Sequence, residues 1–365
     1  MEIRLLESGE DLVDAARLAY EIFVEECGVL GNVADHDERT LETDDARGSR
    51  TIGAFVNGEL VGTLSALCWS NAPFPEMYHS AFQIHRFATV VPRERMAILT
   101  RWLIRSSKRR GMLPLRLYQA AVQYLLARDI ALIFADCQPH MLPRYTWLGM
   151  RSFGRIFNYV DSGVVIPLVG IPADHDHLRR LASPTITLLP ASSEDRTLAA
   201  RLNEILAGDD PVTTPKSDPD GYWRAVDRVV GQPSMRDRNP FGDIAPADIR
   251  QVLERGFLLD FEQGDVLIGR GQNTRTVYVV VDGELEVRCD GVRRRLGVGE
   301  ICGELAFLLD SRRTANVHVA SRTARLLCLA DRDILSVGRD NPLLAARFMA
   351  NLSRIPARRL ASRAS

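Results

Sequence analysis

What this chain has least of is net charge. Its 46 Lys and Arg stand against 47 Asp and Glu, a formal −1 at pH 7, so no global field draws it to nucleic acid or to an anionic membrane surface. Long apolar runs are also missing. None reaches the roughly 20 residues that span a bilayer, and the opening MEIRLLESGEDL puts charge where a signal peptide needs an apolar core. The six cysteines, at 27, 68, 137, 289, 302 and 328, form no CxxC pair and no metal-ligand spacing. That excludes a disulfide framework or a zinc site and fits buried thiols of a reducing compartment. A cytoplasmic chain without stable membrane insertion, nucleic-acid partner or metal is the expectation. What is present is ordinary: 46% hydrophobic and 25% charged residues describe a globular protein. At 365 residues the chain is too long for one typical core, so two domains are expected.

The first half alternates helix and strand. Apolar residues at 12, 15, 16, 19, 22 and 23 predict a helix over 11–26, stopped by Gly28. Residues 51–56 and 60–67 flank Asn57-Gly58, a hairpin signal. A buried strand is expected over 83–91, helices over 94–109 and 114–128, and strands over 130–136 and 164–169. The run Arg105 to Arg110 then reads as cations at a helix C-terminus, favoured by the dipole, or as a dock for an acidic carrier protein. Residues 207–240 have the Pro, Asp, Gly and Ser content of a linker, with one helix near 222–230. Beyond it, short β segments at 265–268, 277–281, 284–288 and 314–320 are punctuated by glycines, the pattern of a small barrel or jelly roll. A helical tail follows over 331–363, with Leu335, Leu343, Leu344, Phe348 and Leu352 as its apolar face.

One stretch carries chemistry on its face. In Gly303-Glu304-Leu305-Ala306-Phe307-Leu308-Leu309-Asp310-Ser311-Arg312-Arg313-Thr314-Ala315 a carboxylate precedes an arginine by nine residues. Small residues and backbone N–H groups can crowd a phosphate, and an arginine fork can pair with it. Together with Phe261 to Ile268, Gly271-Gln272, Val277 to Val287 and the helical tail, residues 241–355 resemble a cyclic nucleotide-binding domain. The resemblance implies that Glu304 takes the ribose 2′-hydroxyl and that Arg313 neutralises the cyclic phosphate. Gly303, Leu305 and Ala306 would supply backbone donors, and Thr314 would touch phosphate or base. Arg312 stands where the family usually has proline. The resemblance implies cAMP or cGMP as the ligand, with cAMP the preferred expectation. The few residues after the last helix leave no room for a helix-turn-helix, so a transcription factor is not expected.

Residues 1–170 resemble the GNAT superfamily of N-acyltransferases, in its branch of acyl-homoserine lactone and N-acyl amino acid synthases. The likeness rests on Arg17, Tyr20, Phe23, Val24, Glu25 and Glu26, on Glu42-Thr43-Asp44-Asp45 and on the hairpin at Asn57-Gly58. It continues through Ile84-His85-Arg86-Phe87 on an expected central strand to Tyr145-x-x-Leu148-Gly149-Met150-Arg151. Acyl transfer to an amine needs a proton acceptor and donors for the oxyanion. The resemblance offers Glu42, Asp44 or His85 as acceptor, Arg86 to position a substrate carboxylate, and Tyr145 to protonate the leaving thiolate. Two departures are expected. The loop after the central strand, placed at Pro92 to Ile98, has no glycine for a CoA pyrophosphate, and Gln83 replaces the glutamate of the branch's Glu-x-x-Arg-Phe.

The expected architecture is α/β plus all-β: a GNAT-like mixed sheet flanked by helices over 1–190, a helical and Pro/Asp-rich linker over 191–240, and a cyclic nucleotide-binding β-jelly roll with a helical tail over 241–365. The expected function is a cyclic nucleotide-regulated N-acyltransferase. It would move an acyl group from an acyl-CoA or acyl carrier protein thioester to an amine such as an amino acid. A regulated protein lysine acyltransferase, or a non-catalytic sensor of nucleotide or acyl ligand, are the alternatives. Expected partners are the nucleotide and acyl carrier protein, with a homodimer left open.

Overall fold

Asn57 and Gly58 both take positive φ, 55° and 82°, the geometry a two-residue turn needs to match strand twist. They join β2 (Arg50–Val56) to β3 (Glu59–Cys68), as expected. The computed structural model describes residues 1–42, 48–159, 163–230 and 239–364. The chain divides into two compact units: 1–137, 141–155 and 166–210 in the first, and 138–140, 156–165 and 211–365 in the second.

In the first unit, β1 (Glu2–Leu5) leads to α1 (Gly9–Ala19). Ser8 caps this helix by accepting from the Asp11 N–H, one of the donors a helix start leaves unpaired. The helix runs on through wider, π-type turns over Tyr20–Cys27 and ends at Gly28, with φ 73°, a glycine stop. After the hairpin come α2 (Glu76–Ala81), α3 (Ile84–Phe87), β4 (Met96–Ile104), α4 (Leu113–Leu126), β5 (Leu132–Cys137) and α5 (Leu142–Trp147). The remaining elements are β6 (Arg151–Ser152), β7 (Phe157–Tyr159), β8 (Gly163–Gly170), α6 (His175–Arg180) and α7 (Arg196–Leu206); β7 and the start of β8 fall in the second unit. The sheet order is β1-β2-β3-β4-β5-β8-β6, and only β4 and β5 are parallel.

Two expectations are corrected here. Residues 83–91 are not the central strand, and 94–109 is not a helix: the central strand is β4. Its run MAILTRWLI is apolar on both faces and buried at Met96, Ala97, Ile98 and Leu99, so periodicity cannot separate it from a buried helix. Phe82 and Phe87, from α2's end and α3, instead pack on Phe134 of β5.

The second unit starts earlier than the expected domain. β9 (Val212–Thr213) pairs with β10 (Phe257–Glu262), and α8 (Pro219–Val230) and α9 (Pro246–Leu253) precede the barrel. Then follow β11 (Val266–Ile268), β12 (Val277–Asp282), β13 (Leu285–Cys289), β14 (Val292–Leu296), β15 (Ile301–Cys302), α10 (Glu304–Leu309), β16 (Asn316–Val319), β17 (Thr323–Leu329), α11 (Asp331–Asp340) and α12 (Pro342–Ala364). Two antiparallel sheets, β15-β12-β17-β10-β9 and β11-β16-β13-β14, make the jelly roll. Its core joins Val277, Val279, Leu327 and Leu329 to Tyr222, Val226, Phe348 and Leu352 from the helices. Leu344, Phe348 and Leu352 are buried as expected, whereas Leu335 and Leu343 are exposed.

Among the described residues no helix is long and apolar enough to cross a membrane, and no cluster of His, Cys, Asp or Glu is suited to hold a metal ion.

Candidate functional site

The jelly roll builds one site from a contiguous cassette. Gly303 caps α10 with φ 88°, and a Cβ there would lie 2.5 Å from Arg313 Nη1 and 2.7 Å from Thr276 O. Only glycine allows that approach. Arg313 is 4% exposed. Its Nε donates to Thr274 Oγ1 at 3.0 Å, Nη1 to Gly303 O at 2.8 Å and Nη2 to Thr276 O at 2.7 Å. Burial pulls its pKa below the usual arginine value. Three of a guanidinium's five N–H donors are thus used, and one on each terminal nitrogen remains for a phosphate. Glu304 is 5% exposed and opens α10. Arg313 and Glu304 line a cavity of about 240 Å³ with Gly303, Leu305, Ala306 and Thr314. The structure therefore brings Gly303, Glu304, Leu305, Ala306, Arg313 and Thr314 to one cavity, but not Arg312. Arg312 is exposed and donates to Gly271 O at 3.3 Å. Arg294 on β14 and Pro356, Arg359 and Leu360 on α12 line the same cavity. Sequence reasoning missed them because they lie outside the cassette.

The acyltransferase-like unit builds its site from distant segments. β4 and β5 pair only from Met96 to Ile98 against Leu132 to Phe134. Beyond that, β4 stays on β3 as far as Ile104 and β5 stays on β8 as far as Cys137, so the two parallel strands separate. A bulge follows: Thr63 faces Leu103 and Ser65 faces Thr100, leaving Arg101 and Trp102 opposite Leu64. Arg101 takes φ 49°, a left-handed backbone that costs a non-glycine residue about 1–3 kcal/mol and concentrates at functional sites. Three successive residues here have buried side-chain atoms without a hydrogen-bond partner: Thr100 Oγ1, Arg101 Nε and Trp102 Nε1. Each such atom forgoes about 1–3 kcal/mol. Arg101 Nη2 reaches Ser49 Oγ at 3.1 Å.

Aromatic rings line the same stretch. Trp102 meets Tyr145 edge to face at 5.5 Å and Tyr118 at 5.7 Å, and Arg144 stands 5.0 Å over its ring. Burial raises the Tyr145 hydroxyl well above its usual value and pushes Tyr118 up to about 12, so both are protonated at neutral pH.

The other acyl-site candidates are scattered. Glu42 is exposed. Asp44 lies outside the described residues. His85 and Arg86 sit on the short helix α3 and not on a strand, with His85 exposed. Arg86 donates to Gln83, to Asp209 and to Ile205 O, which ties α3 to the end of α7. The arginine-aromatic pair on the true central strand is Arg101-Trp102, three residues after Ile98. The sequence signal was present but read on the wrong segment.

The same shift moves the donor loop. The segment after the central strand is Arg105 to Met112, not Pro92 to Ile98, and it contains Gly111 with φ 92°. The basic run therefore leads into a helix instead of ending one. Arg105 pairs with Glu21 and Glu59, and Arg109 with Glu26; Lys108 and Arg110 have no carboxylate partner among the described residues. A wider cleft of about 710 Å³ opens beside Arg105, lined by Arg17, Arg39, Glu21 and Glu59, but its charges largely pair with each other.

Comparison with known proteins agrees with this division. Residues 14–172 match the family model "N-acyl amino acid synthase FeeM", and residues 258–341 match the model "cyclic nucleotide-binding domain". A protein of Rhodopseudomonas palustris described as a candidate potassium channel is 25% identical over 251 residues, covering 66% of this chain and 54% of its own length. The chain thus spans about half of that relative. The catabolite activator protein of Thermus thermophilus is 29% identical, with a TM-score of 0.29, over 34% of this chain and 58% of that one. A CoA-dependent acyl-homoserine lactone synthase is 20% identical, with a TM-score of 0.38, over 54% of this chain and 92% of that one. Residues 14–172 are thus similar to N-acyl amino acid synthases, and residues 258–341 to cyclic nucleotide-binding domains.

Proposed function

We propose that this protein is an N-acyltransferase controlled by a cyclic nucleotide, moving an acyl group from a thioester donor to the amine of an amino acid. The observation that carries the acyl-transfer half is the parting of β4 from β5 with Thr100, Arg101 and Trp102 left unpaired beyond it. Buried polar atoms in a folded protein are nearly always satisfied. Three in a row, at a bulge and beside a protonated tyrosine, suit the amide and thioester groups of a donor arm.

The chemistry divides as follows. The donor lies along the free edge of β4, its thioester carbonyl accepting from the unpaired donors there, which stabilise the oxyanion as the amine attacks. Arg101 takes over from Arg86 the task of pairing with the acceptor's carboxylate, since Arg86 is engaged by Gln83, Asp209 and Ile205 O. Tyr145, kept protonated by burial, gives its proton to the departing thiolate. Glu42, Asp44 and His85 stay as the candidates for the proton acceptor. Cyclic nucleotide binding at Glu304 and Arg313 biases the enzyme between two states of different activity, with cAMP and cGMP both retained as effectors. Because the donor loop contains Gly111, a CoA thioester is as well suited as an acyl carrier protein thioester. That keeps a protein lysine acceptor as the second reading.

The test is thiol release from acyl-CoA and from acyl carrier protein thioesters by the purified protein. It is run with free amino acids or a lysine peptide, with and without cAMP and cGMP, and products are weighed by mass spectrometry. Acylated amino acid whose rate changes with nucleotide is the expected result. Acylated peptide alone selects the second reading, and no thiol release from any donor overturns the enzyme.

A further inference from the structure

The cavity at the cassette has a wall beyond the match to the nucleotide-binding model. The match to the nucleotide-binding model ends at residue 341, yet Arg359 and Leu360 line the cavity from the far end of α12. Arg359 does more than line it. Its Nη1 donates to Glu304 Oε1 at 2.5 Å, and its Nη2 donates to Ile301 O at 2.8 Å. The guanidinium thus bridges the first residue of α10 and the strand just before it. Pro356, inside α12, lacks the N–H that would continue the helical ladder and is itself part of the cavity wall. Arg359 therefore follows a weak point in the helix and reaches Glu304, the carboxylate of the cassette that lines the cavity.

A carboxylate as enclosed as Glu304 is strongly disfavoured unless paired and hydrogen-bonded. Arg359 is that partner. The pair uses Oε1, and a carboxylate has about four acceptor sites, so capacity remains for a hydroxyl donor. We propose that Arg359 is a positioning residue of the nucleotide site: it holds the Glu304 carboxylate oriented to accept a ribose 2′-hydroxyl. The proposal rests on the cyclic nucleotide reading and extends it to a ligand class, 3′,5′-cyclic ribonucleotides over their 2′-deoxy analogues. Leu360, exposed beside Arg359, supplies an apolar surface for the base.

The experiment is calorimetric titration of the full-length protein with cAMP, cGMP and the 2′-deoxy form of each. It compares the native chain with Arg359→Ala, Arg359→Lys and Glu304→Gln. A hydroxyl bonded to a charged acceptor is worth about tenfold or more in affinity, so the native chain should prefer the ribonucleotide by that factor. Arg359→Ala should lower ribonucleotide affinity about tenfold and leave the 2′-deoxy form nearly unaffected, so that the preference collapses. Arg359→Lys, which keeps the charge, should retain part of it and serves if the alanine variant does not fold. Equal weakening of both ligands would make Arg359 a mere wall and overturn the proposal. Tighter binding by Arg359→Ala would make it a competitor of the ribose and also overturn it. If the native chain binds none of the four nucleotides, the underlying nucleotide reading falls, and the proposal with it.

Discussion

The two candidate sites handle buried polar groups in opposite ways. In the nucleotide site, Arg313 and Glu304 are enclosed and satisfied by the protein itself, through Thr274, Thr276, Gly303 and Arg359. In the acyl site, Thr100, Arg101 and Trp102 hold enclosed atoms with no partner. The first is a receptor whose reading groups are already fixed in place, so binding needs little further ordering of the protein. The second carries strain and unmade hydrogen bonds, which under the proposed function a substrate relieves.

That contrast can be broken most sharply at Arg313. Arg313→Glu puts a second carboxylate beside Glu304 and strips two backbone carbonyls of their donor. Cyclic nucleotide binding, followed by calorimetry, should be lost, with affinity falling at least a hundredfold, and thermal unfolding should show a large loss of stability. Retained binding would mean that the phosphate is read elsewhere.

In the acyl site the effect should be on rate instead of folding. Tyr145→Phe removes the protonated hydroxyl and should lower kcat about a hundredfold or more with little change in stability. Trp102→Phe removes the unpaired N–H and keeps an aromatic ring against Tyr145. It should lower kcat/KM about tenfold while the unfolding midpoint holds or rises, because an unmade hydrogen bond has been deleted. A variant that loses stability without losing activity would show that Trp102 is only core.

The last expected effect concerns acid. In the first unit burial holds His177 down at about 4, and its Nε2 is enclosed without a partner. Between pH 6.5 and 4 the unfolded chain therefore binds more protons at this position than the folded one. Stability is fully present above pH 6.5 and falls as pH drops through that window, by at most about 3 kcal/mol. His177→Gln should flatten the dependence of unfolding free energy on pH between 7 and 4.5. Asp174, held down at about 2 with help from Asn203, the His177 N–H and Arg151, gives stability that is present above pH 4 and lost only as pH falls toward 2.

What could be read from the sequence follows from how local each feature is. The hairpin at Asn57-Gly58 and the cassette from Gly303 to Thr314 are short contiguous signals whose geometry is dictated by glycine and turn chemistry, and both were legible. The element order of the jelly roll was legible for the same reason. β4 was not, because a strand buried on both faces has no alternation to reveal it. The error then left the bulge at Arg101 and Trp102 and the loop holding Gly111 unread, and put Arg86 on a strand it does not occupy. Arg359 was illegible because its partner Glu304 lies 55 positions earlier, a distance no motif spans.

The packing of α8 has a practical consequence for anyone cutting the chain. Tyr222 is fully enclosed, its hydroxyl donates to Leu253 O at 2.5 Å, and Val226 and Val229 lie in the jelly-roll core. β9 covers the edge of β10. An expression fragment begun at residue 241, where the sequence alone suggests a boundary, would leave out α8 and β9 together. It would enter solution with an apolar socket and an unpaired strand edge, both routes to aggregation.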